Sequence, residues 1–330
     1  MAKTIWPLPT TNYLPVGEIE ESRPVALVTS GPAWQSVRSK FHLPVAWKAE
    51  VVEATTEAWD SQGEDLQGEV IYAVGGGLAA DAAKYLSWKK EIPMVCVPTA
   101  LSVDAFITWA SGVRAGGCVR YIETKVPEEL ILDLELLASA PASIRAAGIC
   151  DVLSIATGSW DWQFAHKKGV NPAGMEYLPY VAQAAQAILQ GALDCAEAAG
   201  AGDPQGLKQV YDCLALEVQL CNQVGHARPE EGSEHYFAYA VENVMGHGLP
   251  HADLLGPGIL LIASLQGQET EALKQAMQAC HIQLDSIPIQ VQLNTLMELP
   301  SYARRHGLPY GISHEIDSDL IRFAGIFKRD

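Results

Sequence analysis

Apolar residues fall along this chain in two rhythms. In the first part, short unbroken apolar runs alternate with stretches of helical spacing. Pro24-Val-Ala-Leu-Val-Thr-Ser30 predicts a buried strand, followed by a helix around Pro32 to Phe41. Val70-Ile-Tyr-Ala-Val74 predicts a second strand, running into three glycines and then a helix from Leu78 to Lys89. Met94-Val-Cys-Val-Pro-Thr99 predicts a third. Strands that alternate with helices in this way predict a parallel sheet covered on both faces. Gly112 to Thr124, with Gly116-Gly117 between β-rich flanks, predicts a hairpin.

After Pro141 the spacing becomes helical and stays so. Apolar residues recur at three- and four-residue intervals over Asp151 to Lys168, Glu176 to Ala199, Leu207 to Val224, Ser233 to Met245 and Glu269 to Cys280. Breaks at Gly169-Val-Asn-Pro172 and Gly200-Ala-Gly-Asp-Pro204 separate them. The expected organisation is an α/β domain over 1–145 and an all-α domain over 146–330, with a ligand cleft between them. From Gln266 onward the pattern predicts helical packing and nothing more specific.

Composition narrows the function classes. The 330 residues are 48% hydrophobic, ample for a folded core, and carry 22 basic against 39 acidic residues, a net charge of −17. So acidic a surface argues against binding nucleic acid or anionic membrane. The seven cysteines, at 96, 118, 150, 195, 213, 221 and 280, are odd in number and form no CxxC pair, which predicts reduced thiols and no structural zinc site. The N-terminus lacks the pattern of a signal peptide, and the richest apolar run, Leu254 to Leu265, is interrupted by Gly256-Pro257-Gly258 and too short for a bilayer. A cytoplasmic protein acting on a small molecule is the expectation.

Four local features carry candidate chemistry. Gly75-Gly76-Gly77-Leu-Ala-Ala-Asp81-Ala-Ala-Lys84 ends a strand and opens a helix, where backbone can approach a pyrophosphate and free N–H groups face it; the plainer reading is a tight turn. Thr99, Ser102 and Asp104 follow the next strand, at the carboxyl end where open α/β sheets bind ligands, although such residues also serve as caps. Asp151 heads an apolar helix, where dipole compensation is the ordinary role. His235 and His251 each begin an apolar helix. Two imidazoles and a carboxylate, if they converge, hold one divalent metal with an open position.

The order of these motifs resembles the sn-glycerol-1-phosphate dehydrogenase family. The resemblance rests on Gly-Gly-Gly-x3-Asp-x2-Lys, then Val97 to Asp104, Ile131-Leu-Asp133, Ala146 to Ser154, Asp161-Trp162, Arg228-Pro-Glu-Glu-Gly-Ser-Glu-His235 and His251, over about Val70 to Ile262. That family is grouped with glycerol dehydrogenases, iron-containing alcohol dehydrogenases and dehydroquinate synthases. The resemblance implies a dehydroquinate synthase-like fold, with a Rossmann-like parallel sheet followed by an all-helical domain. It implies Asp151, His235 and His251 as ligands of Zn2+, or of Ni2+ or Fe2+. It implies Gly75, Gly76, Gly77, Asp81, Thr99 and Ser102 on NAD or NADP, and Asp104 orienting substrate. The implied reaction is NAD(P)H-dependent reduction of dihydroxyacetone phosphate to sn-glycerol 1-phosphate, in a possible homo-oligomer.

Alternatives remain in a polyol dehydrogenase and a dehydroquinate synthase-like lyase, the latter disfavoured because few cations lie around 98–151. His247 is off the ligand positions and is expected in the surroundings of the site or on the surface. Four features depart from the family pattern: Cys150 before the metal Asp, His251-Ala-Asp253, the pair Glu230-Glu231 and Tyr239. Carboxylates at 230 and 231 would oppose a phosphorylated substrate if they faced inward. Lys125, Arg120 and Arg228 are the cations considered for a phosphate.

Overall fold

The computed structural model describes residues 5–245 and 248–324. Six strands form one parallel sheet: β1 (Thr10–Tyr13), β2 (Val25–Thr29), β3 (Val45–Glu50), β4 (Val70–Gly75), β5 (Met94–Pro98) and β8 (Glu129–Leu132), in spatial order β1-β8-β5-β4-β2-β3. The pairs β2/β4 and β4/β5 are in straight register, Val25 to Thr29 against Val70 to Val74 and Ile71 to Gly75 against Met94 to Pro98. Every residue of β2, β4 and β5 is buried, which is why these strands read as continuous apolar runs. Between them run α1 (Gly31–Val37), α2 (Thr56–Gln62) and α3 (Gly77–Lys90). The predicted hairpin is β6 (Ala110–Ala115) against β7 (Cys118–Glu123), turning at Gly116-Gly117, both at positive φ.

The chain passes from β2 to β3 on one side and returns to β4 on the other. The sheet therefore has its switch point between the carboxyl ends of β2 and β4, where doubly wound sheets open a crevice. Gly76 and Gly77 lie at that crevice.

Beyond β8 the described residues are helical: α4 (Leu134–Ala138), α5 (Ala142–Arg145), α6 (Ile149–Leu153), α7 (Ile155–Lys168), α8 (Pro179–Gly200), α9 (Pro204–Val224), α10 (Ser233–Met245), α11 (His251–Leu265), α12 (Glu271–Ala279), α13 (Ile289–His306) and α14 (Ser318–Ala324). The helix expected over Asp151 to Lys168 is divided at Ser154, whose Oγ donates to the Asp151 carbonyl (2.5 Å) and to the Glu230 carbonyl (2.8 Å). The break at 200–204 ends in Asp203, which caps α9 by accepting from the Gly206 N–H (2.8 Å). None of these helices is long and apolar enough to cross a membrane.

Gly256-Pro257-Gly258 does not interrupt the run that carries it, because α11 continues through it. Pro257 has no N–H for the Asp253 carbonyl four residues back, and Ser286 Oγ supplies that bond instead at 2.6 Å. The glycines serve packing: a Cβ on Gly258 would lie 2.9 Å from the Glu234 carbonyl oxygen of α10, and one on Gly256 would press on Ile282 and Leu284.

Candidate active site

A cleft of about 1110 Å³ runs from the carboxyl ends of β2, β4 and β5 to the starts of α6, α10 and α11. On the sheet side its lining includes Ser30, Gly76, Gly77, Thr99, Ser102 and Asp104. Gly75 lies beneath, buried at the end of β4 with φ 156°, and its carbonyl accepts from the Thr99 N–H at 3.0 Å. No side chain caps α3, and a Cβ on Gly77 would stand 2.6 Å from Val103 Cγ2. Backbone at this helix N-terminus is thus open to an anion.

Asp81, one turn into α3, borders the cleft but is engaged by Lys84 Nζ at 3.0 Å. Lys84 is fully buried and also donates to Thr108 Oγ1 (3.0 Å) and the Ala110 carbonyl, fastening the hairpin to α3. Burial raises the Asp81 carboxyl pKa against the pull of Lys84.

On the helical side Asp151, His235 and His251 converge. One ligand atom from each lies within 4.8 Å of the others. The arrangement follows from three helix starts meeting: α6 brings Asp151, α10 His235 and α11 His251. His251 Nε2 stands 3.0 Å from Asp151 Oδ1, and the two imidazole centroids are 5.7 Å apart. Asp151 Oδ2 accepts from the Asp104 N–H at 3.0 Å, so the strand-end loop and the metal-type carboxylate share a bond. Burial and the neighbouring Asp151 charge push the Asp104 carboxyl up to about 7.

Glu234, fully buried, is a partner that sequence reading passed over, although it stands inside the Gly-Ser-Glu-His motif. Its Oε1 lies 2.9 Å from His235 Nδ1 and accepts from the Gly232 N–H at 2.6 Å. Holding Nδ1 in this way leaves Nε2 for a cation. Burial would lower the His235 pKa, but the Glu234 hydrogen bond and the Glu231 and Asp151 charges outweigh it and raise it to about 9. Glu234→Gln is expected to weaken metal affinity by about 10–100-fold with the fold intact, read by competition against a chromogenic chelator.

The departures fall as follows. Glu230 and Glu231 both line the cleft, and Glu231 Oε1 accepts from Tyr239 OH at 3.1 Å. Asp253 turns away, taking the Gln283 N–H at 3.1 Å. Cys150 is buried. Of the three cations considered for a phosphate, Lys125 pairs with Glu128 and Arg120 donates to the His306 carbonyl (3.0 Å), neither of them lining the cleft. Arg228 does line it; its guanidinium bonds the Tyr310 carbonyl (2.8 Å) and Tyr236 OH (3.4 Å), while Nε is buried without a partner. His247 lies outside the described residues. The 227–231 turn packs on Gly158, whose Cβ would collide with the Glu230 carbonyl. Gly158→Ala is therefore expected to cost about 1–3 kcal/mol in thermal or denaturant unfolding.

Comparison with known proteins adds three findings. A family profile described as "Iron-containing alcohol dehydrogenase" matches residues 24–141. The chain is 30% identical over 223 residues to "Glycerol-1-phosphate dehydrogenase [NAD(P)+]" of Sulfolobus acidocaldarius, covering 68% of this chain and 62% of that one. It is 32% identical over 207 residues to the protein of the same name from Sulfurisphaera tokodaii, covering 63% and 58%. The matched stretch thus spans about three fifths of those relatives. Among solved structures, a probable glycerol dehydrogenase from Sinorhizobium meliloti superposes with a TM-score of 0.72 at 16% identity, over 98% of both chains. Sulfoacetaldehyde reductase from Bifidobacterium kashiwanohense, in complex with NAD+, gives 0.70 at 15% over 99% and 98%. Motif order, matched profile and shared fold agree: residues 24–141 match the iron-containing alcohol dehydrogenase profile, the chain is similar to glycerol-1-phosphate dehydrogenases over about two thirds of its length, and its fold is that of the glycerol dehydrogenase superposed on it.

Proposed function

We propose that this protein is a metal-dependent, NAD(P)H-linked reductase that converts dihydroxyacetone phosphate to sn-glycerol 1-phosphate, reversibly. The observation that carries the reading is the Asp151, His235 and His251 triangle facing, across one cleft, the uncapped N-terminus of α3. Two imidazoles and one carboxylate within reach of one another fit a catalytic divalent ion with an open position, zinc in the first place and Ni2+ or Fe2+ as alternatives. Bound there, the ion supplies Lewis acidity toward a ketone oxygen and the nicotinamide a hydride.

The chain's own residues do the remainder. Gly76 and Gly77 give the cofactor pyrophosphate close access to backbone N–H groups, and Thr99 and Ser102 offer hydroxyls along the same wall. Asp104, tied through its N–H to Asp151, stands where it orients the substrate and exchanges the last proton with solvent. In this reading residues 1–145 bind nucleotide, and 146–330 supply the metal ligands and most of the substrate wall. Either NAD or NADP is proposed: the chain leaves β2 through Ser30 and Gly31, Glu50 Oε2 from the end of β3 lies against Gly31, and Lys40 borders the cleft nearby. The glycerol-1-phosphate assignment is supported by the names of the matched relatives.

A second reading, an unphosphorylated polyol, is favoured by one observation. Glu230 and Glu231 line the cleft, where Lys40, Arg114 and Arg228 are the Lys and Arg side chains among the described residues, and Arg114 is paired with Glu242 at 2.9 Å. So sparse a set of cations disfavours a dehydroquinate synthase-like lyase further. The test is nicotinamide absorbance with protein stripped of metal and reloaded with Zn2+. Oxidation of NADH or NADPH that requires metal and dihydroxyacetone phosphate is the expected result. Preference for dihydroxyacetone would establish the polyol reading, and no oxidation with either ketone would refute both.

A further inference from the structure

Behind the substrate wall stands an acid with no role in the scheme above. Glu217 lies on the buried stripe of α9 beside Leu214 and Val218, 1% exposed, and neither carboxyl oxygen has a hydrogen-bond partner in ordinary geometry. The charged group acting on it most strongly is Glu230, whose Oε2 is likewise buried and without a partner. Two facing carboxyls with no cation between them cannot both ionise in a medium of low dielectric. Burial first, then surrounding carboxylates, push both well above the ordinary carboxylate range.

Glu230 is fixed in place. Its N–H donates to the Ala227 carbonyl (3.0 Å), its carbonyl accepts from Ser154 Oγ (2.8 Å), and Gly158 leaves room for that carbonyl and nothing larger. Its side chain lines the same cleft as Asp104, Asp151 and His235. The cleft is thus bordered there by a carboxyl backed by a second buried acid, with oxygens that no protein group pairs. A substrate hydroxyl, which both donates and accepts, satisfies such a carboxyl; a methyl group leaves it unpaired.

We propose that Glu230, held from behind by Glu217, is a specificity-determining residue that hydrogen-bonds the hydroxyl on the carbon adjacent to the reacting carbonyl. The site then takes α-hydroxy ketones and rejects their deoxy counterparts. This rests on the hydride-transfer reading and applies equally to a phosphorylated or an unphosphorylated substrate.

The test compares kcat/KM, in Zn2+-loaded protein, for dihydroxyacetone phosphate against hydroxyacetone phosphate, and for hydroxyacetone against acetone. Wild-type protein is expected to prefer the hydroxylated ketone of a pair by about a hundredfold or more, since a site built to bond a hydroxyl discriminates strongly against its absence. Glu230→Leu should lose most of that preference by slowing the hydroxylated ketone alone, with zinc content and NADH fluorescence unchanged. Glu230→Gln, which keeps a donor and an acceptor, should restore much of it. Equal rates on both members of a pair in wild type, a result that needs no variant to fold, would overturn the assignment. So would a Leu variant that slows both members alike. If wild type holds zinc and cofactor yet reduces none of the four ketones, the hydride-transfer reading itself falls and takes this assignment with it.

Discussion

Replacing His235 with alanine is expected to leave the protein with a small fraction of its zinc and to lower turnover roughly a thousandfold or more. The size of the effect follows from how the ring is held. His235 enters the cleft from the first turn of α10 with Nδ1 fixed on Glu234, so its other nitrogen is already aimed and costs little to organise. Asp151 and His251 remain as neighbours at 3.0 Å, but a carboxylate and one imidazole make a two-donor site open to water on the remaining positions. Alanine also leaves Glu234 as a buried carboxyl without its ring partner, which adds a stability cost. Metal-to-protein ratio by elemental analysis and NADH absorbance measure the two arms. Full zinc occupancy in this variant, or in His251→Ala, would remove the ligand assignment.

Asp161→Ala should be the most damaging substitution away from the chemistry. Asp161 is fully buried and accepts from the Ser233 N–H (2.8 Å), Ser233 Oγ, the Ile312 N–H (2.8 Å) and Gln266 Nε2 (3.0 Å). It joins α7 to the start of α10, to the segment after α13 and to the end of α11. Alanine leaves at least two buried backbone N–H groups without partners, at about 1–3 kcal/mol each. Against a total of about 5–15 kcal/mol, a loss of about 3–5 kcal/mol is severe. Thermal unfolding should shift down by about 4–7 °C, and zinc affinity should fall with it, because the bonds lost at Ser233 fix the helix end that presents His235. An unchanged melting temperature would show that the fold does not depend on this junction. Burial pushes the Asp161 carboxyl up to about 6. The folded protein therefore binds this proton more tightly than the unfolded chain, and the contribution present below about pH 4 is lost as pH rises through 6.

Much of this architecture was legible because burial writes itself into composition. β2, β4 and β5 are covered on both faces and so are apolar throughout, and the long helices of the second half show one apolar stripe each. β1 and β3 escaped because edge strands are short and mixed: Thr-Thr-Asn-Tyr and Val-Ala-Trp-Lys-Ala-Glu are half exposed and carry no clear period. Proline and glycine in the Leu254 to Leu265 run signalled a break, but tertiary contacts satisfied the orphaned carbonyl and used the missing side chains. At the site, motif order singled out Asp151, His235 and His251, which the fold brings together, since spacing alone says nothing about three helix starts meeting. Glu217 had a signal that went unread, a carboxylate on the stripe of Leu214, Val218 and Cys221. Glu234 had none beyond its place next to a histidine.

Gly258 never touches the metal position, yet it sets the gauge of the site. It lets α11 approach α10 until backbone almost meets backbone at Glu234, and those two helices carry the two imidazoles. Metal–nitrogen bonds of about 2.0–2.1 Å tolerate little change in the spacing of their donors. A single methyl group at this position would wedge the helices apart and stretch the triangle along one side. With Asp151, His235 and His251 as the proposed ligands, the choice of ion is thereby tied to the thickness of a helix contact, and selection for one metal over another can act on a residue that binds none.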